Sequence, residues 1–286
     1  MNHLPLTNKT PEIIKFRRSC RNFAMKEIEP QKLELIQDAL VNYGNTPFGS
    51  KQRFLMLRES GNRLGRVPGT YGVIKGAQYL IIAFENEKEF MPEDLGFALE
   101  KIILRLTDLD LGSCWMGGTF QKKHFLNQIT LSDGEQISIV VPFGYAGGKS
   151  SLIDQIFRKT AGSDHRKSLK EITFDRKLNI PLNEHTLDER MLSILECVRL
   201  APSASNRQPW RLGFKESGVD FYLQRSPNYR KAFLTDLQRV DMGIAMAHFE
   251  LACHYYNLPG KWNFDEIQNE VPKSYEYILS WKWLSS

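Results

Sequence analysis

From Ile28 to Val41 apolar residues recur at helical spacing, with Leu33, Ile36 and Leu40 on one side, which predicts an amphipathic helix. A short helix is predicted before it, from Thr10 to Lys15. Ala77 to Phe84 (AQYLIIAF) is an unbroken apolar run of strand length and predicts a buried strand, as does Ile137 to Phe143. The strongest helical pattern runs from Asp94 to Trp115, with Leu95, Leu99, Ile102, Leu106 and Leu109 on one stripe and charges opposite. Further helices are predicted over Leu187–Leu200 and from Asp241 onward, with a strand at Val219–Leu223. The aromatic segment Tyr275–Leu284 (YEYILSWKWL) reads as a tail that docks on the body.

The pattern repeats itself. The segment DLGFALEKIILRLTDLDLGSCW, residues 94–115, lies without gaps on DMGIAMAHFELACHYYNLPGKW, residues 241–262, at an offset of 147 residues. Asp94 and Asp241, Gly96 and Gly243, Ala98 and Ala245, Leu104 and Leu251, Leu111 and Leu258, and Trp115 and Trp262 coincide. This is an internal repeat, and the polar stretch from Ser150 to Asp188 reads as the crossover between its copies.

Composition narrows the classes. A chain of 286 residues has material for one large or two modest domains. The net charge of +5 is spread along the length, with no run resembling a nucleic-acid arm. The opening MNHLPLTNKT lacks the build of a signal peptide, and no apolar run approaches the roughly 20 residues that span a bilayer, so a soluble cytoplasmic protein is expected. Cys20, Cys114, Cys197 and Cys253 are scattered without a CxxC pair, which points to free thiols rather than zinc or disulfides. His248 and His254 lack the i, i+4 spacing of a metal pair and read as packing or surface residues. No metal site is expected.

Three stretches carry candidate chemistry. In Phe16–Phe23 (FRRSCRNF) three arginines and a serine within five residues offer charge-assisted donors for a phosphate or another oxyanion, although a solvated basic face has the same composition. Ala201–Arg211 (APSASNRQPWR) predicts a rigid turn: Pro202 and Pro209 fix φ near its ends, and Ser203, Ser205, Asn206 and Gln208 offer short donors and acceptors. An ordinary capped loop is the plainer reading of it. Gly144–Ser150 (GYAGGKS) misses a phosphate-binding P-loop by one residue of spacing. A worn copy of the proline-rich turn, keeping a Pro, a Ser and a Gln, lies at Asn45–Phe54.

Pro202, Ser203, Asn206, Gln208, Pro209 and Trp210 match without a gap the P-S-x-x-N-x-Q-P-W signature of the nitroreductase family of flavin enzymes, and R-R-S-x-R-x-F over residues 17–23 resembles its other flavin-binding signature. The resemblance covers nearly the whole chain and is strongest to the two-halved, Thermotoga-type nitroreductases. It implies an α+β, nitroreductase-like fold of mainly antiparallel central sheets flanked by helices, duplicated in one chain as a pseudo-dimer. Residues 1–172 would form the first half and 173–286 a shorter second half, intertwined as one unit. One FMN site would combine the basic cluster of the first half with the signature turn of the second. A reciprocal site from residues 45–54 and 174–181 would be dead.

The resemblance also implies roles. Arg17 and Ser19, with Arg18, would hold the FMN phosphate, and Arg21 would reach the ribityl chain and the N1–C2 edge, where a cation stabilises reduced flavin. Pro202, Ser203, Ala204, Ser205, Asn206 and Gln208 would line the ring from the other half. Met116, Gly117 and Gly118 would bring backbone close to N5, Arg166 and Lys167 would add cations near the phosphate, and Lys75 would lie near the ring. The implied function is an FMN-dependent NAD(P)H oxidoreductase working by a ping-pong cycle on a nitroaromatic, quinone or similar acceptor, with no catalytic side chain required. A flavin store or sensor without turnover is the alternative. The partners implied are small molecules only, with neither nucleic acid nor membrane, and the chain is expected to be a monomer.

Overall fold

The computed structural model describes residues 10–59, 65–86, 91–148, 165–227, 229, 235–265 and 271–284. The N-terminal residues 1–9, Lys149 and Ser150 of the near-P-loop, and residues 151–164 of the predicted crossover lie outside them. Pro30 opens a helix at the position where its missing N–H costs nothing, and α2 runs over Pro30–Val41 after the short α1 over Thr10–Phe16. Then follow β1 (Phe54–Arg58), β2 (Tyr79–Asn86), α3 (Pro92–Asp108), β3 (Gly112–Ser113), the short α4 (Lys122–Leu126) and β4 (Glu135–Gly144). The later part of the chain forms α5 (Leu169–Ile172), β5 (Thr173–Asp175), α6 (Glu189–Arg199), β6 (Trp210–Lys215), β7 (Gly218–Gln224), α7 (Leu237–Tyr255), β8 (Gly260–Asn263) and β9 (Tyr275–Trp283).

Two compact units result. Among the described residues the first runs over 16–91 and 98–148, and the second over 10–15, 92–97 and 165–284. The sheet of the first unit has strand order β1-β2-β4-β3, all antiparallel. That of the second has order β5-β6-β7-β9-β8, in which only β5 pairs in parallel. Without β5 the two orders are the same, and α2-β1-β2-α3-β3-β4 reappears as α6-β6-β7-α7-β8-β9. The repeat extends to irregularities. Ser138 is the extra residue of a bulge where β4 pairs β2, and Ile278 where β9 pairs β7.

The predicted helix Asp94–Trp115 is too long at its C-terminal end. Asp110 (φ 62°) and Asn257 (φ 56°), one repeat apart, adopt the left-handed conformation that closes a helix. In both copies the closing bonds are the same: Asp110 N–H to Thr107 O and Leu111 N–H to Leu106 O, then Asn257 N–H to His254 O and Leu258 N–H to Cys253 O. Asp and Asn tolerate this conformation better than other side chains do, and so stand where glycine is usual. The charges of α3 also do not face solvent. Glu93, Asp94, Glu100 and Lys101 are buried, and Trp115 Nε1 donates to Glu100 Oε2 at 2.8 Å. In the second copy Trp262 Nε1 donates to Glu250 Oε2 at 2.8 Å, although Glu250 lies one helical turn beyond the repeat position of Glu100.

Tyr275–Leu284 is not a docking tail. It forms β9, between β7 and β8, because its tryptophans complete the core of the second unit: the Trp281 ring lies 5.1 Å from Trp262 and 5.9 Å from Phe249. The first unit has its own core under β2 and β4, built from Leu80, Ile82, Phe84, Ile137, Val140, Phe120 and Phe125. The four cysteines are buried or half-buried, and none is joined to another by a disulfide. His248 is buried, with Nδ1 2.8 Å from Cys197 O, and His254 packs beside Trp281.

Within the second unit the first turns of α3 and α7 meet backbone to backbone. A Cβ on Gly96 would lie 2.0 Å from Val240 O, and one on Gly243 would lie 1.8 Å from Glu93 O. Under the 147-residue offset these are one contact made twice, 96 to 240 and 243 to 93, the reciprocity that a two-fold contact requires. Beside it Arg239 Nη1 donates to Glu93 Oε1 at 2.8 Å and also pairs with Glu276. Burial outweighs that arginine and pushes the Glu93 carboxyl up to about 7. Native protein therefore holds more protons than unfolded chain between the ordinary glutamate range and pH 7, so this group's stabilising contribution is full at acid pH and lost as pH rises through 7. Glu93→Gln is expected to flatten that decline, read as thermal midpoint against pH; an unchanged slope would contradict the assignment.

Candidate functional site

In the first unit the backbone from Ser19 to Ala24 is threaded between two neighbours. Cys20 N–H donates to Ser113 O at 2.8 Å. On the other edge Lys75 N–H donates to Arg21 O at 2.9 Å, and Phe23 N–H to Lys75 O at 2.8 Å. Arg17, Arg18, Ser19 and Arg21 thus lie on or next to one braced segment, with Lys75 on the strand-like neighbour that pairs with it. Its far end is closed by Gly147 N–H to Asn22 O and Ala24 N–H to Tyr145 O, both 2.8 Å. The amide of Gly147 is therefore committed to a β-bridge and is not part of a phosphate-wrapping loop.

Arg17 differs from its neighbours. It is 6% exposed, whereas Arg18 is exposed and donates Nη1 to Arg17 O. Burial holds the Arg17 guanidinium below its ordinary pKa, Glu100 partly opposing and Arg18 adding to the effect. Its Nε is buried without a hydrogen-bond partner, and the nearest carboxylate oxygen, Glu100 Oε1, is 3.9 Å away. A buried unsatisfied guanidinium donor is costly on its own and suits an anion. Of the stretch expected to offer backbone to a ligand, Met116 is committed: its N–H and C=O both pair with Val140 at 3.0 Å. Gly117 is half-buried and Gly118 exposed.

In the second unit the loop Pro202–Gln208 carries three left-handed non-glycine residues, Ser205 (φ 50°), Asn206 (φ 51°) and Gln208 (φ 48°). Each costs of the order of 1 kcal/mol and persists only where the surroundings impose it. The bracing is dense. Gln208 N–H donates to Ser203 Oγ at 2.9 Å, and the buried Gln208 amide accepts from Lys167 N–H at 2.8 Å while donating to Asn206 O and His165 O. Arg166 Nη1 donates to Ala201 O at 2.8 Å and to Asn206 Oδ1 at 2.9 Å, and Asn206 Nδ2 returns a bond to His165 O. The separate basic pair Arg166-Lys167 is brought onto the signature loop, and Gln208 acts as its brace.

Two residues here were not singled out as site candidates from sequence. Arg211 is buried, with Nη1 3.0 Å from Gln208 O, and its charge, after burial, is what lowers the Lys167 pKa. With Arg207 in the loop itself, four cations therefore lie about it among the described residues. Asp241, under Ala204, was recognised only as a repeat position. The worn turn at 45–54 is closed on itself instead: Tyr43 OH accepts from Gln52 N–H at 2.7 Å and donates to Gln52 O at 3.0 Å, and Thr46 Oγ1 donates to Ser50 O at 2.9 Å. Near Phe174, Asp175 Oδ1 accepts the amides of Asn179 and Ile180. Among the described residues no group of His, Cys, Asp and Glu could hold a metal ion, and no helix is long and apolar enough to cross a membrane.

The chain is a duplicated α+β architecture, with an arginine cluster around buried Arg17 in one copy and a strained polar loop in the other. The family model described as "Putative TM nitroreductase" matches residues 9–253, and the chain belongs to that family. It is similar, at 19% identity and a TM-score of 0.61, to a "putative nitroreductase" of Thermotoga maritima, over 96% of this chain and 94% of that one. That likeness spans both copies and establishes the fold. About half of the chain is similar to single-length proteins. One is a nitroreductase with bound FMN from Bacteroides fragilis (22% identity, TM-score 0.40, 51% of this chain and 92% of that one). Another is an FMN-dependent nitroreductase from Clostridium difficile (20%, 0.40, 49% and 88%). The chain matches no curated protein.

Proposed function

We propose that this protein is an FMN-dependent NAD(P)H oxidoreductase that passes two electrons to a nitroaromatic, a quinone or a similar acceptor. The observation that carries the reading is the Pro202–Gln208 loop, a family signature that the fold holds in a strained conformation with Arg166 bonded to its asparagine. Family membership over residues 9–253 supports the same reading.

The chain's own contribution is binding and orientation. Arg17, with its buried unpaired Nε, and Ser19 would hold the phosphate, with Arg18 and Arg21 adding charge. Ser203, Ala204, Ser205 and Asn206 would face the ring, Arg21 would reach its N1–C2 edge, where a cation favours negative charge, and Arg166 and Lys167 would add cations near the phosphate. Gly117 or Gly118 would offer the backbone donor that Met116 has given to Val140. Bound FMN would supply the redox chemistry, the two-electron exchange between NAD(P)H and the acceptor. No side chain has to transfer a proton for that exchange.

We further propose that the halves, 1–172 and 173–286, descend from two subunits and that the chain works as a monomer. The reciprocal Gly96 and Gly243 contacts support this. Anaerobic mixing of FMN-loaded protein with NADH and with NADPH tests the function. Bleaching of the flavin absorption by one of them, and its return on adding a nitroaromatic or quinone, is the expected result. No bleaching by either donor would make the protein a flavin binder without this turnover.

A further inference from the structure

Asp241 lies in the second turn of α7, is 3% exposed, and holds the signature loop from beneath: Oδ1 accepts the Ala204 amide at 3.0 Å. Its Oδ2 is buried with no hydrogen-bond partner. The other braces, from Arg166, His165, Lys167 and Ser203, converge on Asn206 and Gln208. The Ala204–Ser205 end, where the left-handed stretch begins, is met by Asp241 and by Tyr229, whose OH lies 3.3 Å from Ser205 Oγ.

We propose that Asp241 is a positioning residue for the Ser203–Gln208 loop, its buried carboxyl fixing the Ala204 amide so that Ser203, Ser205 and Asn206 are presented in one arrangement. As far as the ligand is flavin, this rests on the function proposed above. The Asp241 carboxyl is shifted toward its protonated form. Burial pushes it well above the usual carboxylate range, the Ala204 N–H opposes this and Asp236 adds to it, while Tyr229, with Arg207 against its ring, is the other polar neighbour. Asparagine has the same shape and keeps the Oδ1 acceptor, so it preserves the bond to Ala204, whereas alanine removes the acceptor and leaves the Ala204 amide without this partner.

The test is amide hydrogen exchange of Ala204 in flavin-free parent, Asp241→Ala and Asp241→Asn, with the Leu212 amide of β6 as internal comparison, followed by FMN titration of each. Asp241→Ala is expected to speed Ala204 exchange by about tenfold relative to Leu212 and to weaken FMN by about tenfold, a single lost hydrogen bond. Asp241→Asn is expected to restore both. Equal acceleration of Ala204 and Leu212, unchanged Ala204 exchange in Asp241→Ala, or failure of Asp241→Asn to rescue would overturn the proposal. A parent that binds no FMN but shows the exchange pattern leaves the positioning role standing and removes the flavin; a parent and Asp241→Ala with equal FMN affinity does the reverse.

Discussion

Gly243→Ala is expected to destabilise the protein by about 3 kcal/mol, the upper part of the range for forcing atoms into a packed contact. The added Cβ would stand 1.8 Å from Glu93 O, and a backbone carbonyl cannot rotate away as a side-chain tip can. Helix propensity favours alanine over glycine by about 1 kcal/mol, so any loss measured is a net of that gain. Gly96→Ala meets Val240 O at 2.0 Å and is expected to cost a similar amount. Both changes push the same two backbone segments apart, so the double variant should lose clearly less than the sum. Urea unfolding of the two single variants and the double variant measures this. Full additivity, or single losses below about 0.5 kcal/mol, would contradict the reciprocal contact.

Arg17→Ala is expected to weaken FMN binding by about 2 kcal/mol, roughly 30-fold, the loss of charge-assisted bonds from a desolvated site. The magnitude follows from burial: Arg17 is 6% exposed with an unsatisfied Nε, whereas Arg18 is in solvent, and Arg18→Ala should cost far less. Removing the arginine also leaves Glu100 buried without its cation, so fold stability has to be measured alongside affinity. Fluorescence titration gives the affinity. Equal binding by Arg17→Ala and the parent would take the phosphate away from this cluster.

Much of this was legible in sequence because it is local. The signature loop is contiguous, so its residues could be named before its left-handed backbone was known, and the 147-residue repeat shows as identical residues at fixed spacing. The helix ends were not legible, since Leu109, Leu111 and Leu258 continue the apolar stripe past the stop and the signal is an Asp or Asn where glycine is usual. The buried charges of α3 were read as a solvent face because polarity alone does not reveal a partner such as Trp115 for Glu100 or Arg239 for Glu93. The aromatic segment 275–284 was misplaced for a related reason. Its strand pairing is with β7 and β8, and pairing partners are not written in the segment itself. Asp241 is not legible as a site residue because it meets the loop only through tertiary contact, 37 residues along the chain, whereas Arg211, three residues from Gln208, carries no sign in the sequence that its side chain turns back onto the loop.

On the proposed function the labour is divided, with the basic cluster in the first copy and the proline-asparagine signature in the second. The worn loop at 45–54 uses its polar groups on itself, and Asp175, in the segment that would have to supply cations, is spent on its own turn. Flavin released from purified, FMN-saturated protein by denaturation, divided by the concentration of chains, tests this division most directly. One FMN per chain is predicted; a ratio near two, or none after saturation, would contradict it.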